Sequence, residues 1–173
     1  MDHHDERSDL DHRILTALHA RGGAPRVAAA ARVLSLAGEH GALWLAAGLA
    51  GAATDRQRRG AWLRGTALTA GAHVASMGVK RLVRRPRPGH VVPLVRIAGR
   101  HSFPSSHATS AAAAAVAFGA LGARLVPPLA AAMCVSRLVV GVHYPSDVVA
   151  GAALGAVTAL LGARWMAGGR DHG

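Results

Sequence analysis

The chain has 173 residues, a length that suits one domain, with 51% hydrophobic residues, 3% aromatics and a mean hydropathy of +0.24 despite 20 Lys and Arg. That composition excludes a disordered chain and argues against a β-rich scaffold, because the apolar residues must be gathered into blocks. Cys134 is the only cysteine, which excludes an intrachain disulfide framework and a cysteine zinc site, and the net charge of +11 calls for an anionic partner: nucleic acid, lipid headgroups or a phosphorylated substrate.

Five of the nine acids lie within the first eleven residues, so residues 12–170 carry 19 basic residues against Glu39, Asp55 and Asp147. Nineteen of the 20 basic residues are Arg, and Lys80 is the only lysine. Residues 1–24 never give a long apolar run, so they read as a polar tail and a short amphipathic helix rather than a secretory signal. Residues 25–37 form a mostly apolar helix carrying Arg26 and Arg32, with two placements open: in a membrane interface or as the lead into a span.

Runs free of Asp, Glu, Lys and Arg follow at 40–54, 65–79, 101–123, 125–136 and 148–163, rich in Ala, Leu, Val and Gly. Most are shorter than the ~20 residues a span needs, but arginines at their ends can snorkel. A soluble Ala-rich bundle is the alternative. Against it stand the small-residue pairs Gly48/Gly51, Gly119/Gly122 and Gly151/Gly155, which suit helix packing in lipid and cost ~1 kcal/mol per Gly relative to Ala in a water-soluble helix. The expected fold is an all-α integral membrane bundle of about five spans, near 38–54, 62–80, 105–122, 125–142 and 147–165. Its embedded domain covers 25–167, before a polar tail at 168–173. Arg56 to Arg59 makes one short basic loop, and Pro86, Pro88, Pro93 and Pro104 forbid a continuous helix from Lys80 to Pro104.

Three polar clusters sit at the ends of apolar runs. The first runs from Lys80 to Arg87 and Pro88, and alone it reads as a basic patch on a membrane surface or a nucleic-acid arm. The second, Pro104-Ser105-Ser106-His107, opens the alanine run. Its serines can simply cap a helix, or its first amides can bind an anion. The third runs from Ser136-Arg137 through His143 to Asp147; a charge as deep in an apolar stretch as Arg137 points to function. Asp147, four residues after His143, can either cap the following helix or hold one imidazole nitrogen as N–H. Because Asp147 is the only acid between 56 and 170, a carboxylate-ligated Mg or two-metal site in the core is excluded. Span counting puts all three clusters on one membrane face, where cations, helix amides, histidines and a carboxylate supply what phosphoryl transfer requires.

The clusters resemble the type 2 phosphatidic acid phosphatases (lipid phosphate phosphatases), relatives of the vanadium haloperoxidases. Lys80 to Arg87-Pro88, Pro104 to His107, and Ser136-Arg137 to His143 to Asp147 follow that family's three motifs in order, with Ser106 in place of the motif glycine. The resemblance implies that His143 is the nucleophile and forms a phosphohistidine, that Asp147 orients it and that His107 protonates the leaving oxygen. It also implies that Lys80, Arg87, Arg137 and the Ser105 and Ser106 amides bind phosphate, with no metal or other cofactor. The segments around His107 and His143 resemble short actinobacterial members that act on polyprenyl carriers, which implies a polyprenyl-linked substrate such as decaprenylphosphoryl-5-phosphoribose. Undecaprenyl diphosphate or phosphatidate is the alternative. The expected partners are a lipid phosphate and the membrane, with no nucleic acid, in a multi-pass protein of the bacterial plasma membrane. A rival of another class is an arginine-rich surface or nucleic-acid module without chemistry, whose affinity would fall steeply with salt. Ten noncatalytic Lys and Arg on the active-site face against seven on the other lean the site toward the cytoplasm.

Overall fold

The computed structural model describes residues 3–97 and 99–168. Among the described residues there are eight α-helices: α1 (His3–Ala20), α2 (Pro25–Ala37), α3 (Ala42–Thr54), α4 (Arg59–Val83), α5 (Ser106–Gly119), α6 (Val126–Val139), α7 (Pro145–Leu161) and α8 (Ala163–Ala167). Proline opens α2 and α7, where its missing N–H is no loss. Ser105 caps α5 by accepting the Ala108 N–H at 3.5 Å.

Helix α5 is the axis of the bundle and packs against α4, α6 and α7. Ala108, Ala111, Ala113, Ala114 and Phe118 are fully buried along it, and the small alanine side chains let neighbouring backbones come close. Gly151 and Gly155 of α7 face it so tightly that a Cβ would sit 2.5 Å from the Ser105 carbonyl oxygen or 2.0 Å from that of Thr109. Gly48 and Gly51 of α3 meet Thr66 and Trp62 of α4 in the same way. The Gly119/Gly122 pair behaves differently from its expected packing role: Gly122 lies in the turn after α5 at φ +86° with nothing within 4 Å. A positive φ, not a close approach, accounts for that glycine.

Helices α3 to α7 occupy the five expected stretches. No single helix among the described residues is long and apolar enough to cross a membrane. Helix α4 has 25 residues, about 37 Å at 1.5 Å per residue, but carries Arg59, Arg64, Lys80 and Arg81. Helices α2 and α3, bent by 54° around Gly38–Gly41, do pass together, so residues 25–37 lead into the next apolar helix. The N-terminal segment is helical from His3 to Ala20 and docks on the bundle. Leu15 is fully buried beside Leu138 and Val148, and His19 Nδ1 donates to the Val139 carbonyl at 2.9 Å.

Candidate active site

Chain topology brings the three polar clusters to one end of the bundle. Lys80 is in the last turn of α4, Ser106 and His107 open α5, Arg137 ends α6, and His143 lies in the loop before α7. The Pro-rich segment 84–105 folds over this end, anchored by the Leu94 N–H on the Val140 carbonyl (3.0 Å) and by the Ser102 N–H on that of Arg85 (2.8 Å). Beneath it lies a cavity of about 600 Å³, lined by Lys80, Arg87, Ser106, His107, Arg137 and His143 and extending to Ser35, Glu39, His40 and His73.

His143 is 2% exposed and sits between a cation and a carboxylate. Arg87 Nη1 lies 3.5 Å from its Nε2. Guanidinium can only donate, so Nε2 presents its lone pair and Nδ1 carries the hydrogen. Asp147 Oδ2 stands 3.6 Å from that Nδ1, just beyond hydrogen-bond range, and Nδ1 has no other partner. Burial, reinforced by Arg87 and Arg137 and opposed by Asp147, holds the imidazole neutral with its pKa lowered to about 3. Asp147 is itself fully buried: Oδ2 accepts the Tyr144 N–H at 2.8 Å, and Oδ1 accepts from Arg85 Nη1 at 2.9 Å.

Two of the cations are fixed by groups of the cavity wall. Arg87 donates through Nε to the Gly99 carbonyl (2.7 Å) and through Nη1 to that of Val142 (2.8 Å). Arg137, 5% exposed, donates from Nη1 to Ser35 Oγ, while its Nε has no partner. An unpartnered buried guanidinium nitrogen is costly and suits a site built for an anion. His107 Nε2 lies 3.1 Å from the Ser35 carbonyl, which can only accept, so Nε2 carries the hydrogen and Nδ1 is left to exchange protons.

Six of the eight expected residues line this cavity; Asp147 is buried behind His143, and Ser105 is the exception. Its N–H donates to the Asp147 carbonyl at 2.9 Å, which welds α5 to α7 and leaves that amide committed. Three residues not expected from the sequence hold the others in place: Ser35 supports both His107 and Arg137, Arg85 grips Asp147, and Asp11 grips Arg85.

Residues 61–170 match the PAP2 superfamily. The chain belongs to that family. The match spans Lys80, Arg87, His107, Arg137 and His143 of the cavity and Asp147 beside His143, whereas Ser35 and Asp11 lie before it. Over 146 residues the chain is 46% identical to a decaprenylphosphoryl-5-phosphoribose phosphatase of Mycolicibacterium smegmatis, covering 80% of this chain and 79% of that protein. The like-named protein of Mycobacterium tuberculosis is 45% identical over 140 residues, 79% of each chain. A lipid A 1-phosphatase of Rhizobium johnstonii is 39% identical over 94 residues, 48% of this chain and 38% of its own. The PAP2 fold extends to nearly the whole chain: the crystal structure of a transmembrane PAP2-type phosphatidylglycerolphosphate phosphatase from Bacillus subtilis superposes with a TM-score of 0.75 at 20% identity, covering 96% of this chain and 89% of the other.

Proposed function

We propose that this PAP2 protein is a multi-pass phosphatase of the bacterial plasma membrane that hydrolyses a phosphate monoester on a polyprenyl-linked lipid, decaprenylphosphoryl-5-phosphoribose being the substrate its relatives favour. One observation carries the chemistry: a buried, neutral His143 whose Nε2 lone pair faces Arg87 in a cavity lined by four cations, Lys80, Arg87, Arg96 and Arg137. In the first step Nε2 attacks phosphorus while the ester P–O bond breaks, and His107, entering the step as the imidazolium with a second proton on Nδ1, gives that proton to the departing oxygen. In the second, water attacks the phosphohistidine, its proton passes to His107, the P–N bond breaks and phosphate leaves. Lys80, Arg87, Arg137 and the Ser106 amide stabilise the charge on the equatorial oxygens. Asp147 keeps the Nδ1 hydrogen in place and stabilises the imidazolium that forms as Nε2 bonds to phosphorus.

Two features support the membrane and the substrate. Leu49, Val74, Val149, Val157 and Leu161 are exposed on helix surfaces, as a lipid-facing side requires. The cavity wall also carries Glu39, His40 and His73, groups that suit the hydroxyls of a sugar.

Phosphate release in detergent from decaprenylphosphoryl-5-phosphoribose, undecaprenyl diphosphate and phosphatidate tests the reading. Turnover should be fastest with the first, unaffected by chelators and inhibited by vanadate, which mimics the five-coordinate transition state. Activity lost to a chelator and restored by Mg²⁺ would overturn the metal-free mechanism, and faster turnover of either other lipid would overturn the substrate. A C-terminal reporter on the noncytoplasmic side is expected if the active site faces the cytoplasm.

A further inference from the structure

We infer that Asp11 and Arg85 are positioning residues for Asp147, which makes the N-terminal helix α1 a working part of the active site. The inference rests on the proposed role of Asp147 as the orienter of His143. Arg85 is a bridge between two carboxylates: Nη2 reaches Asp11 Oδ2 at 2.9 Å and Nη1 reaches Asp147 Oδ1 at 2.9 Å. Its guanidinium carbon lies 4.2 Å from the centre of the Tyr144 ring, and Nη1 also donates to Ser146 Oγ at 2.7 Å. Asp11, 7% exposed, completes the grip by accepting the Ser146 N–H on Oδ1 at 2.9 Å and the Ser146 hydroxyl on Oδ2. Arg85 therefore cannot slide along either partner without breaking a charge-assisted hydrogen bond.

Each oxygen of Asp147 has its own task. Oδ1 is taken by Arg85, while Oδ2 accepts from Tyr144 and faces His143. Pinning Oδ1 stops the carboxylate from turning about its Cβ–Cγ bond, and that keeps Oδ2 aimed at the imidazole. Without Arg85 a fully buried anion would lose its cation, and it would take up a proton or swing away from His143. Without Asp11, Arg85 keeps one carboxylate but loses the second anchor that sets its angle. Asp11 lies 136 residues before Asp147, outside the span matched to the PAP2 superfamily, so this anchor is contributed by a part of the chain beyond that match. Leu15 and His19 seat the same helix, holding Asp11 at a fixed depth.

The test measures kcat and KM of the full chain in detergent micelles with decaprenylphosphoryl-5-phosphoribose or dioleoyl phosphatidate, whichever is turned over faster. Asp11→Ala should lower kcat ~10-fold and Arg85→Ala ~10²-fold with KM little changed, the size expected when a reacting group is displaced by about 1 Å. Asp11→Asn and Arg85→Lys keep the size of the side chains and serve if an alanine variant fails to fold; each should still lower kcat, because neither preserves the two-carboxylate bridge. The deciding measurement repeats Asp11→Ala in an Asp147→Asn background. Acting through Asp147, Asp11 should have no further effect there. An equal loss in both backgrounds, or unchanged kcat in every Asp11 and Arg85 variant beside an impaired Asp147→Asn, overturns the inference and leaves the proposed mechanism standing. A fully active Asp147→Asn protein overturns both.

Discussion

The two ends of the bundle use the same residue for opposite purposes. At the active-site end Arg137 is 5% exposed, Arg85 is held by three partners and Arg87 by two backbone carbonyls, around a carboxylate with no exposure at all. At the other end Arg58 keeps half of its side chain in the open, pairing with its neighbour Asp55 at 2.7 Å, and Arg64 reaches only the Met166 carbonyl. A cavity of about 490 Å³ exists there too, bounded by Ala52, Ala53, Arg56 and Arg59, but its lining holds no histidine and no acid. Positive charge therefore does not mark the site; burial, convergence and unspent hydrogen-bond capacity do.

The sharpest way to break this contrast is at His143. His143→Ala should lower kcat by at least ~10⁴-fold with the elution profile of the folded protein in detergent unchanged, since a nucleophile has no substitute among its neighbours. Trapping with labelled substrate should give an acid-labile phosphoenzyme in the wild type and none in the variant. Normal turnover by His143→Ala would make the active end as inert as the other.

His107 gives the next largest effect. His107→Ala should cost ~10²-fold or more with an alkyl phosphate, whose leaving oxygen needs a proton, and far less with a nitrophenyl phosphate, which leaves as the anion. Equal losses on both substrates would reassign His107 to holding Ser35 and the cavity wall.

A swap of cation type compares the ends directly. Lys80→Arg should lower kcat ~10-fold although the charge is kept, because a planar fork beside Arg87 and Arg137 displaces the phosphate that a compact ammonium holds as a point charge. Arg59→Lys, at the far end of the same helix, should leave kcat unchanged. Equal behaviour of the two variants would reduce Lys80 to one more surface charge.

The parts legible in the sequence are those written locally. Helices α3 to α7 show because apolar runs end at Pro or charge, and the cavity residues show because their spacing survives in the linear chain. The supporting residues do not show, for a physical reason: Ser35 reaches Arg137 across 102 positions and Asp11 reaches Arg85 across 74, contacts that leave no periodic trace. Asp11 hides among five acids that read as a polar tail, and Arg85 hides in a run of arginines that reads as a solvated face. Ser105 misleads in the other direction, since a cap and an anion site look identical until the Asp147 carbonyl is seen to occupy its amide. Ser35 left one faint signal, the one hydroxyl in a helix of otherwise aliphatic residues, Pro25 and two arginines, three residues before Gly38.

The smallest expected effect belongs to the far end and completes the comparison. Arg56→Gln, Arg58→Gln and Arg59→Gln should each leave kcat within ~2-fold of wild type and shift the melting temperature little, because exposed ion pairs are screened by water and salt. The Asp55–Arg58 pair is of that kind, and Trp62 Nε1, 3.2 Å from the same carboxylate, keeps it anchored after Arg58 is neutralised. If the triple variant instead loses kcat/KM and the loss disappears at high salt, the arginines of both ends act together as a field that draws anionic lipid to the protein. Because the two explanations differ in salt dependence, assays of wild type and triple variant at about 20 mM and about 500 mM salt, each about fivefold from the ~0.1 M at which the Debye length is ~10 Å, separate a local site from a field spread over the molecule.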